Sequence, residues 1–232
     1  MFNPPMLMHI PDGFLNAPVA GVMYVVAGVI VAVAVWRTNR TLNERTVPLM
    51  GVLGAFIFAA QMMNFPVAGG TSGHMLGGAL AAILVGPWAA IVVMTSVIGV
   101  QALIFQDGGL AALGANIFNM GILTAFVGFA VYWVASTVGR RNRRAVLAGT
   151  FAAAWLSVML SAFATSAQLA ISGTSPWHVV LPAMMGVHTL IGIGEGLISA
   201  GAVAFTLGTR PDLMRASAAM ATAPMRVSEE RA

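Results

Sequence analysis

The apolar stretch LAAILVGPWAAIVV, residues 80–93, decides the topology of this chain. It lies inside a longer apolar run from His74 to Gln106. As one helix that run would be about 50 Å long at a rise of about 1.5 Å per residue, whereas the hydrocarbon core of a bilayer is about 30 Å thick. Gly86 followed by Pro87 favours a break, because proline removes a backbone donor and clashes with the preceding helical turn. We therefore predict two arms, a short one before Gly86 and a longer one after it.

The positions of the basic residues favour the same break. All 11 are arginine, and they occur in three clusters. The clusters are Arg37, Arg40 and Arg45; Arg140, Arg141, Arg143 and Arg144; and Arg210, Arg215, Arg226 and Arg231. A single crossing between residues 74 and 106 would put the first two clusters on opposite sides of a membrane. Two crossings put all three on one side, as expected for cytoplasmic loops.

The composition excludes an ordinary soluble domain. Hydrophobic residues make up 59% of the 232 residues and charged residues only 8%. The excess of arginine therefore indicates membrane orientation, with lipid as the surrounding medium, and no nucleic-acid partner is expected. The absence of cysteine removes disulfides and thiolate metal ligands.

Five further apolar runs are long enough to span a membrane. They cover residues 17–36, 48–65, 112–138, 145–171 and 181–207. With the two arms between residues 74 and 106, they predict an all-α polytopic protein of the cell membrane. It would have seven transmembrane helices, an outer N-terminus and a cytoplasmic C-terminus. We expect residues 1–7 to be a leader, residues 8–209 to form the membrane domain and residues 210–232 to be a cytoplasmic tail.

Polar side chains gather near the predicted outer ends of these helices. They are Gln61, Asn64, His74, Gln101, Asn116, Asn119, Gln168 and His188. Polar groups inside a bilayer are costly unless they are paired, so a one-sided layer predicts a site that opens to the exterior. The alternative is that the amides only join helices through hydrogen bonds.

The segment Met8-His9-Ile10-Pro11-Asp12-Gly13 lies just before the first apolar run. A chain that began at Met8 would offer one metal ion a free amine, the His9 amide nitrogen and the His9 imidazole, which close chelate rings of five and six atoms. A fourth nitrogen from another histidine would complete a square, the geometry that suits Ni(II) or Cu(II). If translation starts at Met1, Met8 has no free amine and His9 is an ordinary interfacial histidine.

Glu195 lies near the middle of the last apolar run, where no basic residue is predicted at its depth. An intramembrane glutamate is a candidate functional residue. We predict that it pairs with His188, seven residues earlier, or with Asn116 and Asn119. By this topology it lies about half a membrane from the outer polar layer, outside the metal's coordination sphere. The alternative is a purely structural role in helix packing.

Five segments, in one order along the chain, carry a resemblance to a known family. They are residues 8–14, 69–74, 77–90 and 107–120, and the pair Gly186-Val187-His188 and Gly192-Ile193-Gly194-Glu195. They resemble the cobalt and nickel transport family CbiM/NikM, whose members are substrate-binding S-components of energy-coupling factor (ECF) transporters. The resemblance covers the chain from Met8 to about Leu207.

The resemblance implies seven helices, the first of which delivers the N-terminus into the core. In that family the metal is held by the N-terminal amine, the amide and imidazole of the second residue, and a histidine before the third helix. These roles carry over to Met8, His9 and His74. Residues that could support the ligands or couple the site to transport are Asp12, Asn64, Asn116, Asn119, His188 and Glu195. The leader Met1–Leu7 departs from the family pattern, and we expect the working chain to begin at Met8.

The resemblance also implies a transport subunit and not an enzyme. Its partners would be a transmembrane coupling subunit (EcfT/CbiQ-like), two ATPase subunits (CbiO-like) and a small accessory membrane subunit (CbiN/NikN-like). The chain contains no lysine and so no Walker A lysine. The transported ligand would be Co²⁺ or Ni²⁺, with no cofactor, and the commoner family role favours cobalt. Gly21, Gly28, Ala32 and Ala81 are small residues at which the coupling subunit could approach closely.

Two other kinds of protein fit part of the pattern. A copper-binding or other metal-binding membrane protein could use thioether ligands among the 16 methionines, including Met62 and Met63, although methionines in a helix bundle mostly serve packing. A non-transporting membrane scaffold would hold no metal. A retinal protein is excluded by the missing lysine, and an intramembrane metalloprotease by the missing His-Glu-x-x-His.

Overall fold

The computed structural model describes residues 9–42, 46–67, 72–140 and 142–214. Its helices are α1 (Ala17–Thr41), α2 (Thr46–Gln61), α3 (Gly78–Val85), α4 (Pro87–Ile104), α5 (Leu113–Asn116), α6 (Thr124–Val138), α7 (Arg143–Ile171) and α8 (Trp177–Thr209). A π-helical segment, Ile117–Leu123, joins α5 to α6. Two three-residue strands, β1 (Asn64–Pro66) and β2 (Ser72–His74), form an antiparallel hairpin in which Asn64 lies opposite His74.

Five helical stretches are long and apolar enough to cross a membrane. They are α1, α4, the continuous run Leu113–Val138, α7 and α8. The prediction of a mostly helical, multi-pass membrane protein is confirmed. The number of crossings and their orientation stay predictions, since α2 has only 16 residues and α3 only 8.

The predicted break at Gly86 and Pro87 is present. Helix α3 ends at Val85 and α4 begins at Pro87, and Gly86 between them has φ +85°, a conformation that glycine adopts without a steric cost. All eight residues of α3 are buried. At about 1.5 Å per residue α3 is about 12 Å long, so it is a short core helix that cannot span the bilayer alone.

The helix directions put the arginines and the N-terminal segment at opposite ends of the molecule. At one end the Arg37 guanidinium lies 4.7 Å from the centre of the Trp88 ring, which joins the end of α1 to the start of α4. At the other end, where α1 begins, Asn16 donates a hydrogen bond to the Ile171 carbonyl at the end of α7 (3.4 Å). The loop that follows α4 lies at this second end, because α1 and α4 run in opposite directions.

Two hydrophobic clusters hold the helices together. The larger one surrounds α3 and includes fully buried residues of α4 such as Ile91, Met94 and Ile98. The smaller one lies at the second end and packs Ile10 with residues of the later helices, including Leu169 and Met184. Burial of Ile10 in this cluster brings the N-terminal segment into the protein interior, as the resemblance implied.

Candidate metal centre

Asn116 pairs with the backbone of Ile10 and so holds the segment that carries His9 in the protein interior. The Ile10 N–H donates to Asn116 Oδ1 (3.1 Å), and Asn116 Nδ2 donates to the Ile10 carbonyl (3.1 Å). A side-chain amide carries a donor and an acceptor like a peptide group, so Asn116 binds Ile10 as a neighbouring strand would. The Gly109 N–H also donates to the Ile10 carbonyl (2.9 Å). The N-terminal segment is therefore fixed by specific hydrogen bonds.

The loop after α4 covers this segment, and it needs two glycines to do so. Gly108 has φ +87°, and a Cβ there would lie 2.8 Å from His9 Cβ. A Cβ on Gly109 would lie 2.1 Å from Asp12 Oδ1. That carboxyl oxygen accepts a hydrogen bond from the Ala111 N–H (2.7 Å). Asp12 thus fastens the segment to the loop.

The His9 imidazole is buried against Asp107. Its Nδ1 lies 3.2 Å from the Asp107 carbonyl oxygen and 3.8 Å from Asp107 Oδ2. Its Nε2 has no hydrogen-bond partner within the described ranges. Burial lowers the pKa of His9 to about 4, so the ring is neutral near pH 7. The neutral ring is the form that binds metal ions.

His74 lies beside His9, as the sequence predicted. The two ring centroids are 5.0 Å apart and the rings meet edge to face. His74 is 4% exposed, and its Nδ1 lies 2.9 Å from the Met75 carbonyl oxygen. A carbonyl can only accept, so Nδ1 carries the proton and Nε2 of the neutral ring carries the lone pair.

A cavity of about 30 Å³ lies between the two histidines and the helices around them. Its lining includes His9, His74, His188, Asn116, Asn119, Met120, Ser161, Thr165 and Met184. Histidines from three separate parts of the chain thus meet at one small polar cavity. Within the described ranges, no three side chains of His, Cys, Asp or Glu form a group that could hold a metal ion.

Asn116, at the end of α5, and Asn119, in the π-helical segment, both line the cavity. A π-helical turn changes the periodicity of a helix and is often found at functional sites. Asn119 Nδ2 donates to Gln168 Oε1 (2.7 Å) and to Thr165 Oγ1 (3.1 Å), and Gln168 Nε2 donates back to Asn119 Oδ1 (2.9 Å). Most hydrogen bonds of Asn119 and Gln168 therefore join the π-helical segment to α7. This segment was not predicted from the sequence, because residues 112–138 form one continuous apolar run.

The predicted partners of Glu195 are wrong. Its oxygens accept from the backbone N–H groups of Leu76 (2.7 Å) and Gly77 (2.9 Å), and not from His188 or the two asparagines. His188 instead bonds within α8, with Nδ1 2.8 Å from the Met184 carbonyl oxygen. The predicted distance between Glu195 and the polar layer fails for the same reason. Leu76 lies two residues after His74 and is also bound by Gln61, so Glu195 lies beside residues of the polar layer.

Comparison with known proteins identifies the family. Residues 9–213 match the family described as the cobalt uptake substrate-specific transmembrane region, CbiM. The chain belongs to the CbiM family. It is 41% identical over 214 residues to a putative fused nickel transport protein NikMN of Archaeoglobus fulgidus, covering 91% of this chain and 70% of that protein. It is 31% identical over 225 residues to the cobalt transport protein CbiM of Geobacter sulfurreducens, covering 91% and 63%.

The fold is similar to that of a solved relative. A crystal structure described as a transition metal transporter superposes with a TM-score of 0.81 at 30% sequence identity, covering 91% of this chain and 97% of that one. The resemblance to CbiM/NikM proteins noted in the sequence is thereby confirmed, as is the multi-pass membrane location.

Several predicted residues of this CbiM-family chain lie away from the cavity or outside the described residues. Met8 and residues 68–71 lie outside the described residues. Asn64 lies opposite His74 in the hairpin. Met62 and Met63 are 46% and 71% exposed and do not line the cavity, which removes them as thioether ligands there.

The prediction that a coupling subunit could approach closely at Ala81 is wrong. Ala81 is fully buried inside α3 and cannot reach another subunit. Gly21 and Gly28 have open space around them on the exposed side of α1. The contact that these glycines would make with a coupling subunit stays a prediction.

Proposed function

We propose that this protein binds Co²⁺ or Ni²⁺ and imports it as the S-component of an ECF transporter. The observation that carries the proposal is the buried pair of His9 and His74, with ring centroids 5.0 Å apart beside a polar cavity. Two imidazoles buried side by side are well suited to bind a transition metal, because a neutral ring offers a nitrogen lone pair. The names of the relatives, which are nickel and cobalt transport proteins, support the same assignment.

The proposed donors are four nitrogens. They are the Met8 amine, the His9 amide nitrogen, His9 Nδ1 and His74 Nε2. A six-membered chelate ring from the His9 amide must close through Nδ1, which in this structure lies against the Asp107 carbonyl oxygen. Metal binding therefore requires the His9 ring to give up its contact with the Asp107 carbonyl and to carry its proton on Nε2, which leaves the Nδ1 lone pair for the metal.

The proposed orientation follows from the two ends of the molecule. The arginine end is cytoplasmic by the positive-inside rule. The metal site then lies near the outer surface, where Co²⁺ or Ni²⁺ arrives. A site at this level supports uptake and not export.

Transport against a gradient needs energy that this chain does not supply by any recognisable ATPase motif. We propose the coupling subunit, the two ATPase subunits and the small accessory membrane subunit of the ECF family as partners. Fused NikMN relatives in Archaeoglobus fulgidus and Rhodobacter capsulatus support the accessory subunit. The names of the relatives include both nickel and cobalt transport proteins. A titration in which Co²⁺ and Ni²⁺ compete for the protein would determine which metal it prefers.

The test is metal binding by the purified protein, with His74→Ala as the variant and His178→Ala as the matched control. His178 is an exposed histidine near the start of α8 and does not line the cavity. We expect about one Co²⁺ or Ni²⁺ per wild-type chain. His74→Ala should lower the affinity by about 10-fold or more, the scale on which even supporting partners of metal ligands act. Equal losses in both histidine variants, or none in either, would contradict the proposal.

A further inference from the structure

Glu195 is buried inside α8 and bound to the turn that follows His74. It is 2% exposed, and its two carboxyl oxygens accept from Leu76 N–H (2.7 Å) and Gly77 N–H (2.9 Å). These N–H groups come just before α3, where the first backbone donors of a helix lack partners in the helix itself. One side chain from the far end of the sequence thus satisfies two neighbouring donors.

Gln61 holds the same turn from the opposite side. Its Nε2 donates to the Leu76 carbonyl oxygen (2.8 Å), and the side chain is fully buried at the end of α2. Both backbone polar groups of Leu76 are therefore bound by side chains of other helices. We call Glu195, Gln61 and the Leu76–Gly77 backbone the turn clamp.

The clamp lies next to the strand that carries His74. Leu76 is two residues after His74, and β2 packs directly on α8. A Cβ on Gly73 would lie 2.5 Å from Ile191 Cδ1 and 3.0 Å from Val187 Cγ1. His74 is thus fixed on its N-terminal side by packing against α8 and on its C-terminal side by the clamp. A displacement of the turn would move the His74 ring relative to His9.

We propose that Glu195 is a positioning residue for metal binding, acting through His74. The inference rests on the proposed function, because it requires His74 to be a metal ligand. A ligand that is already held in place loses less freedom when the metal binds, and this raises affinity without a new metal contact. Partners that orient metal ligands typically change affinity by about 10- to 100-fold.

The test is Glu195→Gln, which keeps the shape of the side chain. Glutamine has one acceptor oxygen, so its NH₂ group would face a backbone N–H and one of the two hydrogen bonds is lost. The affinity for Co²⁺ or Ni²⁺ should fall by about 10-fold or more. The matched control is Ser199→Ala, one helical turn further along α8. Ser199 is fully buried and its Oγ has no hydrogen-bond partner in the described part of the chain, so its removal should leave the affinity unchanged.

A double-mutant cycle with His74→Ala separates positioning from a general loss of structure. If Glu195 acts through His74, adding Glu195→Gln to His74→Ala should lower the residual affinity by less than about twofold. An equal loss in both backgrounds would overturn the inference. Wild-type affinity in Glu195→Gln would also overturn it, and the proposed function would stand if His74→Ala still lost the metal.

Gln61→Leu is the second variant, and it covers the case in which Glu195→Gln fails to fold. It removes the other side of the clamp and should lower metal affinity in the same direction, again only when His74 is present. Unchanged affinity in a folded Gln61→Leu protein would contradict the turn clamp. A wild-type protein that binds neither metal would instead contradict the proposed function.

Discussion

At the scale of single residues, the candidate site depends on side chains that act on backbone groups. Asn116 binds the N–H and the carbonyl of Ile10, as a neighbouring strand would. Glu195 accepts from two consecutive backbone N–H groups, those of Leu76 and Gly77, close to His74. Asn116 contacts the segment that carries His9, and Glu195 contacts the segment that carries His74. Inside an apolar bundle such bonds are costly to leave unmade, so they fix the position of the backbone strongly.

A substitution at Asn116 tests this at the N-terminal segment. In Asn116→Asp the donor to the Ile10 carbonyl becomes an acceptor, and two oxygens face each other. We expect a loss of about 1–3 kcal/mol in the free energy of unfolding, together with at least about tenfold weaker metal binding. Chemical denaturation and metal titration measure the two effects.

The control for Asn116→Asp is the same chemical change at Asn142. That side chain caps α7 by accepting from the Ala145 N–H (2.8 Å), and aspartate caps a helix about as well. Asn142→Asp should change neither stability nor metal binding. If both variants bind metal like the wild type, the pairing with Ile10 has no part in forming the site.

At the scale of secondary-structure elements, the sequence predicted the helix break at Gly86 and Pro87 better than it predicted the contacts between side chains. Gly86 and Pro87 carry a local signal, and α3 ends and α4 begins where that signal predicts. His9 and His74 were also predicted to meet, from the motifs that surround them. The partners of Glu195 were not predictable, because they are backbone groups of the turn before α3, and the packing of that turn against α8 leaves no local pattern in the sequence. The π-helical segment Ile117–Leu123 was not predicted, because its residues belong to one continuous apolar run.

The loop over His9 gives a test at the scale of one element. Gly108→Ala adds a methyl group 2.8 Å from His9 Cβ, whereas Gly173→Ala adds one where nothing lies within 4 Å. Both glycines have positive φ, +87° and +76°. Backbone strain should therefore lower the free energy of unfolding of both variants by about 1–2 kcal/mol. Only Gly108→Ala should also weaken metal binding, because it moves His9.

Thermal unfolding and metal titration on the two glycine variants separate strain from displacement. The expected results are a lower unfolding temperature in both variants, more so in Gly108→Ala, with metal binding weakened in Gly108→Ala alone. Metal binding lost to the same extent in Gly173→Ala would mean that general destabilisation, and not the position of His9, explains the effect.

At the scale of the whole molecule, the arginines lie at one end of the helices and the candidate metal site lies at the other. Lipid-facing residues such as Val25, Leu197 and Phe205 are 63–71% exposed, as expected for a protein whose outer surface meets acyl chains. Several buried polar side chains, among them His9, His74, Asn116, Asn119 and His188, lie around one small cavity at the end where α1 begins. This division is what an S-component would need: a fixed site toward the exterior and a surface left for lipid and partner subunits.

The central claim is that one metal ion binds between His9 and His74. Crystals of the metal-loaded polypeptide that begins at Met8, measured at the nickel or cobalt absorption edge, test it most directly. The account predicts one anomalous-difference peak per chain, within coordination distance of His9 Nδ1 and His74 Nε2, at about 2.0 Å as for other imidazole–metal bonds. A peak at any other position in the molecule, or a fully loaded protein with no peak between these two rings, would contradict it.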